Sequence, residues 1–127
     1  DNLLSNSWPK RLRDLLLLAI PKDEFHGARV RTVRAYMDDM FLALSKQFQR
    51  VKPGGHVVCV VGNSLHGNAH QPILVATDLL ISALGQHVGF NIERLQIARQ
   101  LRRRDHKKEL NSHLLRESII IMKRPLE

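Results

Sequence analysis

The 127-residue chain carries 20 lysines and arginines against 12 aspartates and glutamates, a formal charge of +8, so a polyanion such as nucleic acid is the first partner to test. Its 43% apolar and 25% charged residues are those of a folded domain and exclude a disordered tail. No apolar run reaches the roughly 20 residues that span a bilayer, no cleavable signal opens the chain, and the single Cys59 excludes an internal disulfide framework, which together point to a reducing cytoplasm.

Residues 7–20 are predicted helical. Ser7 suits an N-cap, Pro9 is tolerated in the first turn, and Leu12, Leu15, Leu16 and Ala19 repeat at helical spacing. The run Leu15–Ile20 is apolar on every side, so this helix is either deeply buried or rests on something outside the chain. Pro21 ends it, and Lys22–Gly27 is a polar connection. From Ala28 to Arg50, Val30, Val33, Met37, Met40, Phe41, Leu44 and Phe48 form the stripe of an amphipathic helix. Tyr36, at its margin, reads as a packing residue.

Lys52-Pro53-Gly54-Gly55 breaks that helix. The β-branched run His56–Val61 follows, a strand predicted to be buried on both faces, as in a parallel sheet covered by helices. Asn63–Gln71 reads as a loop. Pro72 is expected to begin a helix reaching about His87, with Gly89 as its left-handed C-cap. Phe90, Ile92, Leu95 and Ile97 read as a second strand, whose change of parity predicts a bulge near Arg94. Arg99–His113 reads as a basic connector and Glu117–Lys123 as a third strand. No repeat or low-complexity tract interrupts this order.

Charge is unevenly distributed. Residues 1–53 carry a net +4, residues 54–93 hold no lysine or arginine and a net −2, and residues 94–127 carry +6. The pattern suggests a buried central strand and helix between surfaces that face an anion.

Tyr36, Asp39-Met40, Leu44 and Arg50-Val51-Lys52-Pro53-Gly54-Gly55, followed by Val60-Val61-Gly62-Asn63-Ser64, Gly89-Phe90 and Arg116-Glu117-Ser118-Ile119, resemble the C-terminal half of S-adenosylmethionine-dependent amino-methyltransferases. DNA N6-adenine and N4-cytosine methylases are the nearest in pattern, and RNA guanine N2-methyltransferases share much of it. The resemblance covers about residues 28–124, with residues 1–27 as a helical lead-in to a sheet-and-helix core over 28–127. It implies an α/β fold, the C-terminal portion of a Rossmann-like methyltransferase fold. His56–Val61 would be strand five, Phe90–Ile97 strand six and Glu117–Lys123 strand seven, the last running antiparallel between the other two. The implied partner is nucleic acid, DNA before RNA, and the implied cofactor is S-adenosylmethionine.

The chain departs from that family in two places. The family holds its cofactor with a Gly-rich turn after strand one, and the reactive amino group with an Asp/Asn/Ser-Pro-Pro-aromatic loop after strand four; neither occurs here. No residue is therefore assigned to methyl transfer, and the chain alone is not expected to bind the cofactor. It reads as the trailing part of a longer enzyme, whether fragment, split-gene product or degenerate paralogue. The alternatives are a non-catalytic nucleic-acid-binding or assembly module that retains half the fold, or a fragment of an RNA guanine N2-methyltransferase. Strand five would then present an exposed apolar edge, to be covered by the missing N-terminal half or by a homodimer.

Two constellations carry candidate function. Asn63 and Ser64 follow the carboxyl end of a strand, the edge at which open α/β sheets bind ligands, and could line a pocket for the target base or the cofactor; capping of the turn is the plainer role. Arg94, Arg99, Arg102, Arg103, Arg104, Lys107 and Lys108 form a dense cationic tract broken only by Asp105, suited to phosphate neutralisation from a connecting loop. The tract has no aromatic residue for base stacking. His66 and His70 flank the turn signal Gly67-Asn68, so no metal site is expected, and Cys59 reads as a small core hydrophobe.

Overall fold

The computed structural model describes residues 8–67, 72–102 and 114–127. The elements are α1 (Trp8–Ala19), α2 (His26–Arg50), β1 (His56–Gly62), β2 (Ser64–Gly67), β3 (Pro72–Val75), α3 (Thr77–Val88), β4 (Asn91–Arg102) and β5 (Leu114–Lys123). β5 lies between β1 and β4 and is antiparallel to both, the five–seven–six order expected above. β2 and β3 form a separate antiparallel ribbon.

Alternation along the strands decides where the core lies. Val57, Cys59 and Val61 of β1, Ser118, Ile120 and Met122 of β5, and Ile92 and Leu95 of β4 share the helix-covered face. Met37 and Leu44 of α2, Ile81 and Leu84 of α3, and Phe90 complete the core, so the predicted α2 stripe is the packed one. Each fully buried Leu, Ile or Met there contributes about 2 kcal/mol. α3 approaches the sheet closely because Gly85 has no side chain; a Cβ there would lie 2.8 Å from Met122 Sδ. Gly89 ends α3 at φ 127°, as a C-cap with positive φ requires.

Four expectations are corrected. Pro72 starts strand β3, not a helix: Ile73-Leu74-Val75 pair with the residues after Asn63, and proline is acceptable at the first position of a strand. Much of the expected Asn63–Gln71 loop is therefore ribbon, and α3 starts at Thr77. Arg99–Arg102 continue strand β4 instead of opening a connector, because Leu114–Glu117 extends β5 and supplies their backbone partners. Finally, β1 is not covered on both sides. Val58 and Val60 are 60% and 67% exposed, since among the described residues no helix packs on that face. The predicted bulge is present between Ile92 and Arg94, with a second between Ile97 and Arg99.

α1 is divided in the same way: Ile20 beyond its end is buried, whereas Leu15 and Leu18 are exposed. The helix is held through Arg13, buried and donating from Nη1 to Asp38 Oδ1 of α2 at 3.0 Å, and through Trp8, stacked on His87 of α3.

The far end of α2 is closed by a residue 73 positions later. Arg124 Nη1 donates to the carbonyls of Phe48 (2.8 Å) and Val51 (2.7 Å), and its guanidinium lies over the Phe48 ring. These carbonyls lack intrahelical partners, so a cation there both caps the helix and opposes its dipole. Arg124→Ala is expected to destabilise the chain by about 1.5–3 kcal/mol in urea denaturation; an unchanged midpoint would contradict the capping role.

Candidate functional site

β1 leads into Gly62 and Asn63, then directly into the β2–β3 ribbon, which delivers the chain to the first turn of α3. The carboxyl end of β1 and the amino end of α3 thus meet. Between them and the helix layer lies a cleft of about 250 Å³, lined by Tyr36 and Met37 of α2, Gly62, Ser64, Val75 and Thr77. Its walls are mainly apolar, with the hydroxyls of Tyr36, Ser64 and Thr77 as the polar groups among these residues. Burial raises the Tyr36 phenol above its ordinary value, with nearby Cys59 adding to the shift. The Cys59 thiol is likewise pushed up by burial, which keeps it protonated and poorly nucleophilic at neutral pH.

Asn63 and Ser64 are both at this edge. Asn63 is 8% exposed, and its side-chain Nδ2 and Oδ1 are buried without a hydrogen-bond partner among the described residues. Its backbone N–H donates to the Arg116 carbonyl at 3.1 Å. A buried amide with both ends unmatched costs free energy unless something satisfies it. Ser64, the first residue of β2, lines the cleft.

Asp78 is the residue that sequence reasoning missed. It is wholly buried in the first turn of α3, where negative charge complements the helix dipole. Arg116 donates to it through Nε (2.8 Å to Oδ2) and Nη2 (3.1 Å to Oδ1). Ser118 Oγ adds a bond of 2.7 Å and the Leu79 N–H one of 2.9 Å. Burial opposes ionisation, but the bonds from Arg116, Ser118 and Leu79 and the guanidinium charge outweigh it, holding the carboxyl below its ordinary 3.8. Arg116 therefore joins α3, through its side chain, to Asn63, through its carbonyl. The signal lies in Arg116-Glu117-Ser118: alternation puts Arg116 and Ser118 on one face of a strand, and Asp78, one of two acids in a stretch without lysine or arginine, needs a partner.

The basic tract is divided. Arg94 and Arg99 lie exposed on β4, Arg94 reaching Gln96 Oε1 at 3.4 Å and Arg99 paired with Glu117. Arg102 is the last residue of β4, so these three belong to a strand and not to a loop. Arg103, Arg104, Lys107 and Lys108 lie outside the described residues. His66 is on β2 opposite Ile73, and His70 is outside the described residues. Among those described, no three His, Cys, Asp or Glu side chains assemble to hold a metal ion, and no helix is long and apolar enough to cross a membrane.

Arg116→Ala leaves a wholly buried carboxylate without its cation and is expected to cost about 3–5 kcal/mol at neutral pH. Adding Asp78→Asn removes the stranded charge and should recover part of that loss in urea denaturation; a double variant no more stable than Arg116→Ala would contradict the account. Because the folded carboxyl titrates below 3.8, the folded state binds fewer protons than the unfolded one in that range. Its contribution is complete above 3.8 and is lost as the pH falls through the lowered value. In Arg116→Ala burial is left to raise that carboxyl, so the gap in stability between wild type and variant should narrow on acidification.

No protein-family model and no curated protein matches the chain. Among solved structures it is similar to TTHA0409 from Thermus thermophilus, a candidate DNA modification methylase. The form complexed with S-adenosyl-L-methionine superposes with a TM-score of 0.59 at 18% identity, over 76% of this chain and 40% of that one. The selenomethionine derivative has the same score and identity, over 79% and 41%. The chain thus spans about two-fifths of the length of the structures it matches. The likeness establishes the fold: an α/β chain carrying part of a Rossmann-like methyltransferase fold.

Proposed function

We propose that this chain is part of an S-adenosylmethionine-dependent methyltransferase that acts on an exocyclic amino group of a nucleic-acid base, DNA before RNA. The observation that carries the reading is the sheet order β1–β5–β4 with a buried Asn63 amide, unmatched among the described residues, at the carboxyl end of β1, the edge at which open α/β sheets take their ligands. Likeness to a structure crystallised with S-adenosyl-L-methionine supports it.

The cofactor fits this chain in one respect: Asn63 offers a donor and an acceptor that the described residues leave unmatched, and Ser64 adds a hydroxyl at the cleft. These two residues would hold either the amino-acid end of the cofactor or the edge of the base. When bound, the cofactor supplies an electrophilic methyl group. The Gly-rich turn and the Pro-Pro-aromatic loop are absent from the chain, so the groups that cradle the cofactor and orient the amino nitrogen come from outside it. Arg94, Arg99 and Arg102, with the cations that follow them in sequence, neutralise backbone phosphates.

The test is transfer of a radiolabelled methyl group to DNA and to RNA by a protein in which this chain is joined to a segment bearing both motifs. Asn63→Ala should lower turnover roughly tenfold or more while the melting temperature holds; wild-type turnover would remove Asn63 from the site. The 127-residue chain alone should give no heat with S-adenosylmethionine in calorimetry, and micromolar binding would contradict placing the cofactor groups elsewhere. Reversing the charge of Arg102, Arg103 and Arg104 should weaken DNA binding and flatten its salt dependence by up to about 2.7 in log–log slope, roughly 0.9 per lost phosphate contact. An unchanged slope would favour the non-catalytic assembly reading, in which this tract has no nucleic-acid role.

A further inference from the structure

Two register shifts decide which way the side chains of β4 face. Ile92 lies opposite Met122, Arg94 opposite Ile121, Ile97 opposite Ser118 and Arg99 opposite Glu117, so Glu93 and Ala98 are the extra residues. In an unbroken ladder from Ile92, Arg94 and Gln96 would fall opposite Ile120 and Ser118, on the face that packs against the helices. An unbroken ladder from Ile97 would likewise carry Arg99 onto that face, opposite Arg116. A bulge re-aims the residues that follow it. The two bulges of β4 keep Leu95 against the core and bring Arg94, Gln96 and Arg99 into one row on the other face, aligned with Ile121, Ile119 and Glu117.

This row belongs to the surface of the sheet whatever segment joins β1. β5 separates β4 from β1, and bulges with exposed charge are the common means by which a strand stays the last of its sheet. The side chains of Arg94, Gln96 and Arg99 are all exposed.

The row offers donors. Arg94 Nη1 donates to Gln96 Oε1 at 3.4 Å, which engages the amide oxygen and leaves its NH₂ for another acceptor. Arg99 donates through Nε to Glu117, whose carboxyl that bond holds below its ordinary value. An exposed pair of this kind adds little stability and is readily shared with a second anion, and among the described residues the Arg99 Nη groups have no acceptor. Glu93, the acid beside Arg94, is taken up by His56 Nε2 at 3.0 Å and Lys123 Nζ at 3.9 Å.

Alternate positions of a strand stand about 7 Å apart, so the three side chains, aligned with every second residue of β5, form two equal steps. Successive phosphates along one nucleic-acid strand are spaced by nearly the same distance, and arginine and glutamine both donate to phosphate oxygens. The row has no aromatic ring on which a base could stack.

We propose that Arg94, Gln96 and Arg99 bind three successive phosphates of one nucleic-acid strand, so that the outward face of β4 tracks the backbone and fixes the register of the bound strand without reading its bases. This rests on the nucleic-acid reading above and adds to it Gln96 and the order in which the phosphates are held.

Anisotropy of fluorescein-labelled duplex DNA titrated with the 127-residue chain across a salt series tests the row. Arg94→Ala and Arg99→Ala should each reduce the log–log salt slope by about 0.9, and the double variant by about 1.8. Gln96→Ala removes no charge and should weaken binding about fivefold at an unchanged slope, by the same factor on duplexes of different sequence. Arg31→Ala and Arg34→Ala, exposed on α2, should keep the wild-type slope, and circular dichroism should be the same for every variant. A chain that binds DNA with a slope indifferent to Arg94 and Arg99 would overturn the row and leave the nucleic-acid reading standing. So would a slope lost equally at Arg31, which is the mark of diffuse charge, or a Gln96 effect confined to one sequence, which is the mark of base reading. A chain that binds neither DNA nor RNA would overturn both.

Discussion

The ion pair between Asp78 and Arg116 connects the parts of this chain that local interactions leave apart. Asp78 belongs to the first turn of α3, Arg116 and Ser118 to β5, and Asn63 to the end of β1. A wholly buried carboxylate is tolerated only where its oxygens are matched, and Asp78 has three side-chain bonds and one from the backbone. That requirement restricts how α3 can sit on the sheet. It also sets where β1 hands over to the β2–β3 ribbon, and so shapes the cleft lined by Gly62 and Ser64. Arg124 performs a related task at the opposite end, tying the last residues of the chain to the end of α2.

The elements legible in the sequence are those whose determinants are local. The α2 stripe, the Gly89 stop and the bulge beside Arg94 all follow from spacing, and each is present. The errors lie where the determinant is distant. Pro72 suits a helix start and a strand start equally well, and only pairing with the residues after Asn63 decides between them. Arg99 to Arg102 are too polar to read as strand, and are one because Leu114–Glu117 supplies the opposite backbone. Asp78 meets its partners 38 and 40 residues away, beyond any periodic signal.

The candidate site is legible in position but not in construction. Asn63 and Ser64 stand out from their place after a strand, and both lie at the carboxyl edge. What holds that edge, and the burial of the Asn63 amide with both ends unmatched among the described residues, require the fold. The cationic tract is legible as charge, while its geometry is not: its first members project from a strand, where Glu117 already engages Arg99. Charge thus reaches the sheet edge beside an apolar outer face formed by Val58, Val60, Ile119 and Ile121, which the described residues leave without a helical cover.

The account depends most on the Asp78 clamp, and a carbon-detected NMR titration of the Asp78 carboxyl tests it directly. In the wild-type chain that carboxyl should titrate below 3.8, with the Asn63 amide resonance moving in step as the link through Arg116 is lost. In Arg116→Ala it should titrate above 3.8, since burial then acts without its main counterweight. A carboxyl that titrates at 3.8 in both proteins, with the Asn63 amide unmoved, would contradict the claim that this ion pair organises the carboxyl end of β1.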